Sequence, residues 1–367
     1  MTKNNLYVDI HVLQTVPSSN INRDDTGSPK TAIYGGATRS RVSSQSWKRA
    51  IRKSFKEDIE DADWVEGYRT LRAVQILAKA IQNLNSEISD DDATSKAVEV
   101  LKAGGIKVSK DKKTDSYLTK ALLLISQGQI DKLAQYAINH DEYDKKELKK
   151  VLQENNSLDL ALFGRMVADD PELNVDAASQ VAHAISTHEI VPEFDYFTAL
   201  DDMQDTTNAG SAMIGSLEYN SSTLYRYANV NVKELVHNLG KNLTIDGLKL
   251  FLKEFATTMP TGKQNTFANK TLPGYVMISV RKDTPVNLVT AFEEPVKSRD
   301  GYMKKSISRL EEENEDVNKS GIVDKPIITA VWTKYDSKLK NNDTITDVIE
   351  EIANTVSEEL ANENSED

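Results

Sequence analysis

The sequence predicts an α+β protein: a sandwich of one β-sheet with helices, of ferredoxin or RNA-recognition type, interrupted by a large helical insertion. Three observations carry this prediction. An alternating strand pattern near the start leads into an amphipathic helix. Residues 57 to about 165 then show apolar residues at three-to-four-residue spacing. Strand patterns return beyond residue 181 and alternate with helices. At 367 residues the chain has room for two domains, or for one domain with a large insertion. Its 39% apolar and 28% charged residues exclude a disordered or fibrous chain.

Leu6, Val8, Ile10 and Val12 alternate with Tyr7, Asp9 and His11, the period of a strand with one face in the core. The polar loop PSSNINRDDTGSPK follows, with the turn formers Asn20, Asp25, Gly27 and Pro29. After Gly35-Gly36 comes SSQSWKRAIRKSF, where Ser44 is placed to cap a helix. On a helical wheel Trp47, Ala50, Ile51 and Phe55 share one side, opposite Lys48, Arg49, Arg52, Lys53 and Lys56. This helix packs on one face and offers cations on the other. Further helices are read through WVEGYRTLRAVQILAKAIQNL, DATSKAVEVLKAGG, YLTKALLLISQGQIDKLAQYAI and KKELKKVLQ, punctuated by Gly104-Gly105 and Gly128. Strand patterns lie at 181–191, 223–232 and 274–282, with helices expected at 232–239 and 245–257. Residues 195–222 are rich in Asp, Thr, Asn, Gly and Ser and carry the apolar patch Met213, Ile214 and Leu217. That run is too long for a turn and reads as a protruding loop or hairpin.

The chain has no cysteine, which excludes disulfides, thiolate metal sites and a cysteine nucleophile, and suits a reducing cytosol. No uncharged apolar run approaches the roughly 18 residues of a membrane helix. The start, MTKNNLYVDIHV, places Asp9 inside its apolar stretch and lacks a small-residue cleavage site, unlike a signal peptide. A soluble cytoplasmic protein is expected. P-loop, HExxH and GxSxG motifs are absent, and no cofactor or metal is expected. His183 and His188, five apart, do not make a metal pair and read as structural. Asp24-Asp25 and Asp201-Asp202 have the chemistry to hold Mg²⁺ for phosphodiester cleavage, although such loop pairs are more often turn residues. Ser43-Ser44 reads as a helix cap and phosphate donor, since no histidine lies nearby in sequence.

Lys and Arg number 45 against 57 acids, a net charge of −12. The charge is uneven. Residues 23–56 hold nine Lys/Arg against Asp24 and Asp25, a local +7, whereas residues 341–367 hold nine acids and no base. A basic segment in an acidic protein reads as an electrostatic site; the plainer reading is a solvated helix. A helix N-terminus with Ser43, Ser44, Gln45 and a cationic face grips phosphates without reading bases. Lys145, Lys146, Lys149 and Lys150 form a second basic face, whose plainer reading is again a solvated surface.

The stretch IHVLQTVPSSNINRDDTGSPKTAIYGGATRSRVSSQSWKRAIRKSF resembles the CasC-type backbone subunit (Cas family seven) of the type I-E CRISPR surveillance complex, Cascade. The resemblance continues through LALFGRM (160–166), VAHAISTHEIVPEFDYFTALDDM (181–203), SLEYNSSTLYRYANVNV (216–232) and PTGKQNTFA (260–268). The helical middle and the acidic tail match weakly. The resemblance implies a hand: an RNA-recognition-like palm (1–56, 181–194, 223–340), helical fingers (57–180) and a thumb hairpin (195–222). An acidic C-terminal helix or tail (341–367) follows.

Copies would polymerise head to tail along CRISPR RNA, each thumb folding over the guide on its neighbour and displacing one base at regular intervals. Arg23, Lys30, Ser43, Gln45, Lys48, Arg49 and Arg52 would contact the guide backbone. Met166, in the GRM turn, would wedge against a base; its plainer reading is a core methionine. Met213, Ile214 and Leu217 would form the thumb tip, and Lys145, Lys146, Lys149 and Lys150 would meet DNA nonspecifically. Implied partners are CRISPR RNA, target DNA, further copies, and the handle-capping, guide-processing, large and small subunits. No membrane is implied. Cutting is left to a separate helicase-nuclease, so no enzyme is expected. Some RNA-targeting relatives cut with an aspartate at a place comparable to Asp24 and Asp25. A metal-dependent ribonuclease is therefore one alternative, and a stand-alone RNA-binding protein another.

Overall fold

A computed structural model describes residues 5–59, 64–65, 67–167, 170–199 and 213–363. In chain order the elements are β1 (Tyr7–Ser19), β2 (Thr31–Tyr34), β3 (Ala37–Val42), α1 (Ser44–Asp58), β4 (Tyr68–Thr70), α2 (Ala73–Leu84) and α3 (Asp90–Ala103). Next come β5 (Val108–Lys110), β6 (Tyr117–Thr119), β7 (Leu123–Ile125), α4 (Gln127–Asn139), α5 (Lys145–Gln153) and α6 (Leu158–Phe163). Then follow β8 (Ser179–Val181), β9 (Ala184–Ser186), β10 (Glu193–Ala199), β11 (Met213–Asn231), α7 (Val232–Leu239) and α8 (Lys241–Thr257). The last are α9 (Gln264–Phe267), β12 (Tyr275–Arg281), α10 (Met303–Lys319), β13 (Ile328–Thr333) and α11 (Ile345–Glu363). The fold is mixed α+β. Two compact units divide it: residues 1–51, 181–229 and 251–367 around the sheet, and residues 52–180 with 230–250.

In the sheet unit the strand order is β13-β12-β1-β11-β9-β3-β2, with β8 and β10 also pairing to β11. β1 runs antiparallel to β12, from Tyr7↔Arg281 to Leu13↔Tyr275, and β12 antiparallel to β13. Alternation in β1 predicts one buried face. The structure buries both: Val8, Ile10 and Val12 on one side, Asp9, His11 and Leu13 on the other. The second layer comes from residues 288–310, where Leu288, Phe292, Met303, Ile307 and Leu310 cluster with Leu13. Buried polar groups on that face are paired, because an unpaired one would lose its water without compensation. The Tyr227 hydroxyl donates to Asp9 at 2.7 Å, and His11 Nδ1 lies 2.9 Å from the Tyr225 hydroxyl. Burial raises the Asp9 carboxyl to about 7 and holds the His11 imidazole down at about 3.

The acidic C-terminal segment is an amphipathic helix. Val348, Ile352, Ala353 and Val356 of α11 are buried against β12 and β13, while Glu350 and Glu358 face solvent.

The helical unit has its own core, built from Val74, Leu77, Ile81, Leu101, Ile130, Leu133, Leu148 and Leu152 on α2 to α5. Four short strands correct the all-helical reading of this region, β4 pairing with β7 and β5 with β6. Three-residue strands such as Leu123–Ile125 are too short for periodicity to separate from helix. Residues 230–250, grouped by sequence with the sheet, belong to this unit. Asn231 N–H donates to Ala178 O at 2.7 Å, and a Cβ on Gly247 would meet Leu158 Cδ1 at 2.7 Å.

Candidate nucleic-acid interface

In the sheet unit the loop after β1 is tied to the start of α1. The Asn22 side chain accepts from Ser43 N–H at 2.9 Å, and the Asn22 carbonyl accepts from Lys30 N–H at 2.8 Å. Asn20 Nδ2 donates to Gly27 O and Glu218 O, both at 2.9 Å. Arg23 and Lys30 are thereby brought beside the helix N-terminus. α1 begins at Ser44, so Ser43 stands at the capping position, where its carbonyl accepts from Ser46 and Trp47 N–H. Ser43 is 5% exposed, and its place before the first turn corrects the reading of Ser44 as the cap.

The apolar side of α1 is as predicted: Trp47, Ile51 and Phe55 are buried, and the Arg226 guanidinium stacks 3.8 Å from the Trp47 ring. Gln45, Arg49, Lys53 and Lys56 are exposed. Lys48 is half-buried, and desolvation lowers the pKa of its ammonium. Arg52 departs from the prediction. Its Nε lies 2.7 Å from Oδ2 of the buried Asp159, whose other oxygen accepts from Gly67 N–H at 2.9 Å and the Ser157 hydroxyl at 2.6 Å. The buried carboxylate of Asp159 captures it.

Asp24 folds its carboxylate into its own turn. Oδ1 accepts from the Thr26 hydroxyl at 2.7 Å, Thr26 N–H at 2.9 Å and Ser28 N–H at 3.1 Å. The Thr26 bond chiefly holds this carboxyl below its ordinary pKa. Asp25 is exposed beside it. Asp201 and Asp202 lie outside the described residues. His183 Nδ1 sits 3.2 Å from Arg41, and the buried His188 stacks on Tyr302 at 3.6 Å.

Two features go beyond the sequence reading: the placement of Gly262 against the loop after β1, and the exposed aromatic face of the expected hairpin. A Cβ on Gly262 would meet Ile21 O at 2.2 Å, so residues 260–268 lie against the loop after β1 and share with it a cleft of about 500 Å³. Lys263 and Ala268 there take left-handed backbone angles, φ 51° and 47°, and frame the exposed Gln264 and Asn265. The available signal was Gly262 ahead of Lys-Gln-Asn. The second feature is the hairpin of β10 with β11, whose register runs from Glu193↔Tyr219 to Ala199↔Met213. Phe194, Tyr196 and Ile214 share one face and are 68%, 65% and 61% exposed. Leu217 is half-buried on the other face, where Phe197 covers Gly215. The alternation of EFDYF carried that signal. Met213 is described by its backbone alone, and residues 200–212 lie outside the described chain.

In the helical unit Met166 is 82% exposed, which excludes a core methionine. Lys145, Lys146 and Lys150 are exposed on α5, with Lys150 3.9 Å from Glu154. Lys149 is not available in that way: its ammonium is held by Asp170 at 2.6 Å and Glu172 at 2.5 Å. The turn at 170–172 approaches α5 on that side and supplies both counter-ions.

This fold is shared with chains of two CRISPR surveillance complexes. A chain of "CRISPR RNA-guided surveillance complex, pre-nicking" superposes with a TM-score of 0.83 at 34% identity, over 95% of this chain and 99% of that one. A chain of "CRISPR RNA-guided surveillance complex" gives 0.73 at 30% identity, again over 95% and 99%. The family profile described as CT1975-like protein matches residues 8–358, and the chain belongs to that family. No curated protein matches it.

Proposed function

We propose that this chain is a non-catalytic backbone subunit of a type I-E Cascade complex, polymerising along CRISPR RNA and presenting it to target DNA. The observation that carries this reading is the likeness to surveillance-complex chains over nearly the whole length of both partners. The sheet suits an RNA-recognition-like palm. Its inner order β12-β1-β11-β9 is the fourth-first-third-second order of that fold, with the hairpin as thumb and the helical unit as fingers.

Arg23, Lys30, Gln45, Lys48 and Arg49 grip guide phosphates, with Ser43 shaping the helix start through its backbone. Arg52 and Lys149 serve structure instead. Guides differ in sequence, so the grip must act on phosphates and leave the pairing edges free. Met166 wedges at a base step, where unstacking costs a few kcal/mol. Lys145, Lys146 and Lys150 meet target DNA through its charge. The thumb's Phe194, Tyr196, Ile214 and Leu217 bury against the neighbouring copy and its guide. Handle-capping, guide-processing, large and small subunits complete the assembly in the cytoplasm. Among the described helices none is long and apolar enough to cross a membrane.

Co-expression with a CRISPR array and its neighbouring genes, followed by native mass measurement, tests the proposal. The number of copies should rise stepwise as the guide is lengthened. A stoichiometry that ignores guide length would identify a stand-alone RNA-binding protein.

A further inference from the structure

The turn that carries Met166 is pinned on both sides. Arg165, only 5% exposed, spreads its guanidinium over four acceptors from different elements. These are Leu173 O at 2.9 Å, Leu124 O on β7 at 3.3 Å, Gln129 Oε1 on α4 at 3.2 Å and Leu152 O on α5 at 2.5 Å. Its backbone exchanges two hydrogen bonds with Val175, at 3.0 and 2.9 Å. Gly164 precedes it at φ 75°, where a Cβ would press on Val175 O at 2.8 Å. Beyond Met166, Val167 N–H donates to Asn174 Oδ1 at 2.7 Å. Lys149 holds the same turn from α5 through Asp170 and Glu172. Between these anchors the Met166 side chain stands 82% exposed.

Large apolar side chains are ordinarily those removed from water, and a single exposed one on a loose surface needs no explanation. Met166 differs because its backbone is already ordered by buried charge-assisted bonds. Contacts made by such a side chain do not have to be offset against ordering of the turn that bears it. A thioether packs well on aromatic faces, and every nucleobase offers one whatever its identity.

We propose that Arg165, Asn174 and Lys149 are positioning residues that pre-organise Met166 as a rigid wedge for a nucleobase of single-stranded RNA. The inference rests on the guide-binding reading and adds a mechanical frame to it. Lys149 thereby moves from the DNA-contacting surface to the support of the guide-contacting one.

The test places 2-aminopurine at successive guide positions in the assembled complex and reads its fluorescence. Wild-type assemblies should show bright positions at a regular interval. Met166→Ala should flatten that pattern, and Asn174→Ala, an exposed substitution, should flatten it to the same level with guide affinity and thermal midpoint unchanged. Asn174→Asp, which keeps the acceptor for Val167 N–H, should restore the pattern, and the double variant should be no worse than Met166→Ala. Asn174→Ala with the full wild-type pattern would overturn the frame while leaving guide binding intact. A wild-type complex without any periodic signal would overturn the guide-binding reading and the frame with it.

Discussion

The two halves of β11 fare differently. From Thr223 to Val230 every residue is buried, Arg226 and Asn229 included, whereas across the hairpin Phe194, Tyr196 and Ile214 lie open to water. One half is covered on both faces, Tyr225 and Tyr227 packing into one cluster and Leu224 into another, whereas the other pairs with β10 from Met213 to Tyr219. Burial follows from which elements cover a strand, and an uncovered apolar hairpin is a surface for another molecule. Each such side chain buried on assembly contributes about 1.5–3 kcal/mol relative to exposure.

The largest effect should come from removing the uncovered half. Replacing residues 195–217 by a short Gly-Ser link should abolish regular assembly along a guide and leave a folded monomer with an unchanged thermal midpoint. A lowered midpoint in calorimetry would break the comparison, since the hairpin would then be part of the core. On the covered half, Trp47→Ala should cost about 3–5 kcal/mol in denaturant unfolding, by opening a cavity beside Leu224 and Arg226.

The contrast between covered and uncovered recurs along α1. Arg52→Ala should cost about 2–3 kcal/mol. That is less than the 3–5 kcal/mol of a fully buried pair, because Asp159 keeps its bonds from Gly67 and Ser157. Arg49→Ala should change stability by less than about 0.5 kcal/mol. It should nevertheless weaken guide binding for every spacer and reduce the log–log salt slope by about 0.7. Equal effects of the two substitutions on folding would erase the distinction.

pH should act at the covered strand as well. Desolvation, then the Arg281 charge, holds His11 down at about 3, whereas the unfolded chain protonates it near 6.5. Unfolding therefore takes up a proton at His11 below about pH 6.5, and its contribution to stability falls with pH until about 3, at up to about 1.4 kcal/mol per unit. His11→Gln should remove this loss and leave stability rising toward acid, measured by denaturant titration between pH 6.5 and 4.5. Asp9 opposes it. Its carboxyl, raised to about 7 chiefly by burial, gives stability at low pH that is lost as pH rises from about 4 to 7. Asp9→Asn should therefore steepen the acid-side loss. Smallest of all is an effect of zero: Mg²⁺ or Mn²⁺ with matched RNA or DNA should leave the strand intact. Periodic cleavage that vanishes in Asp25→Ala would reinstate the ribonuclease alternative.

Local elements were largely legible in the sequence. The helix read at 232–239 is α7, the strand pattern at 274–282 holds β12, and the hairpin expected within 195–222 is present where β10 pairs with β11. These follow from period and turn chemistry, which neighbouring residues carry by themselves. The candidate interface was legible as a cationic helix behind a basic loop, because charge and wheel angle are properties of sequence. Which cations remain available was not. Arg52 and Arg49 look alike until Asp159, more than a hundred residues away, is folded against one of them. Lys149 differs from Lys145 for the same reason.

By itself, then, the sequence determined the strand and helix periods, the buried side of α1 and the concentration of positive charge after β1. Only tertiary structure decided that β1 is covered on both faces, that Met166 stands out in water, and that Arg52 and Lys149 are ion-paired. The physical reason is that periodicity and charge are local, while desolvation and ion pairing depend on groups brought together from distant parts of the chain.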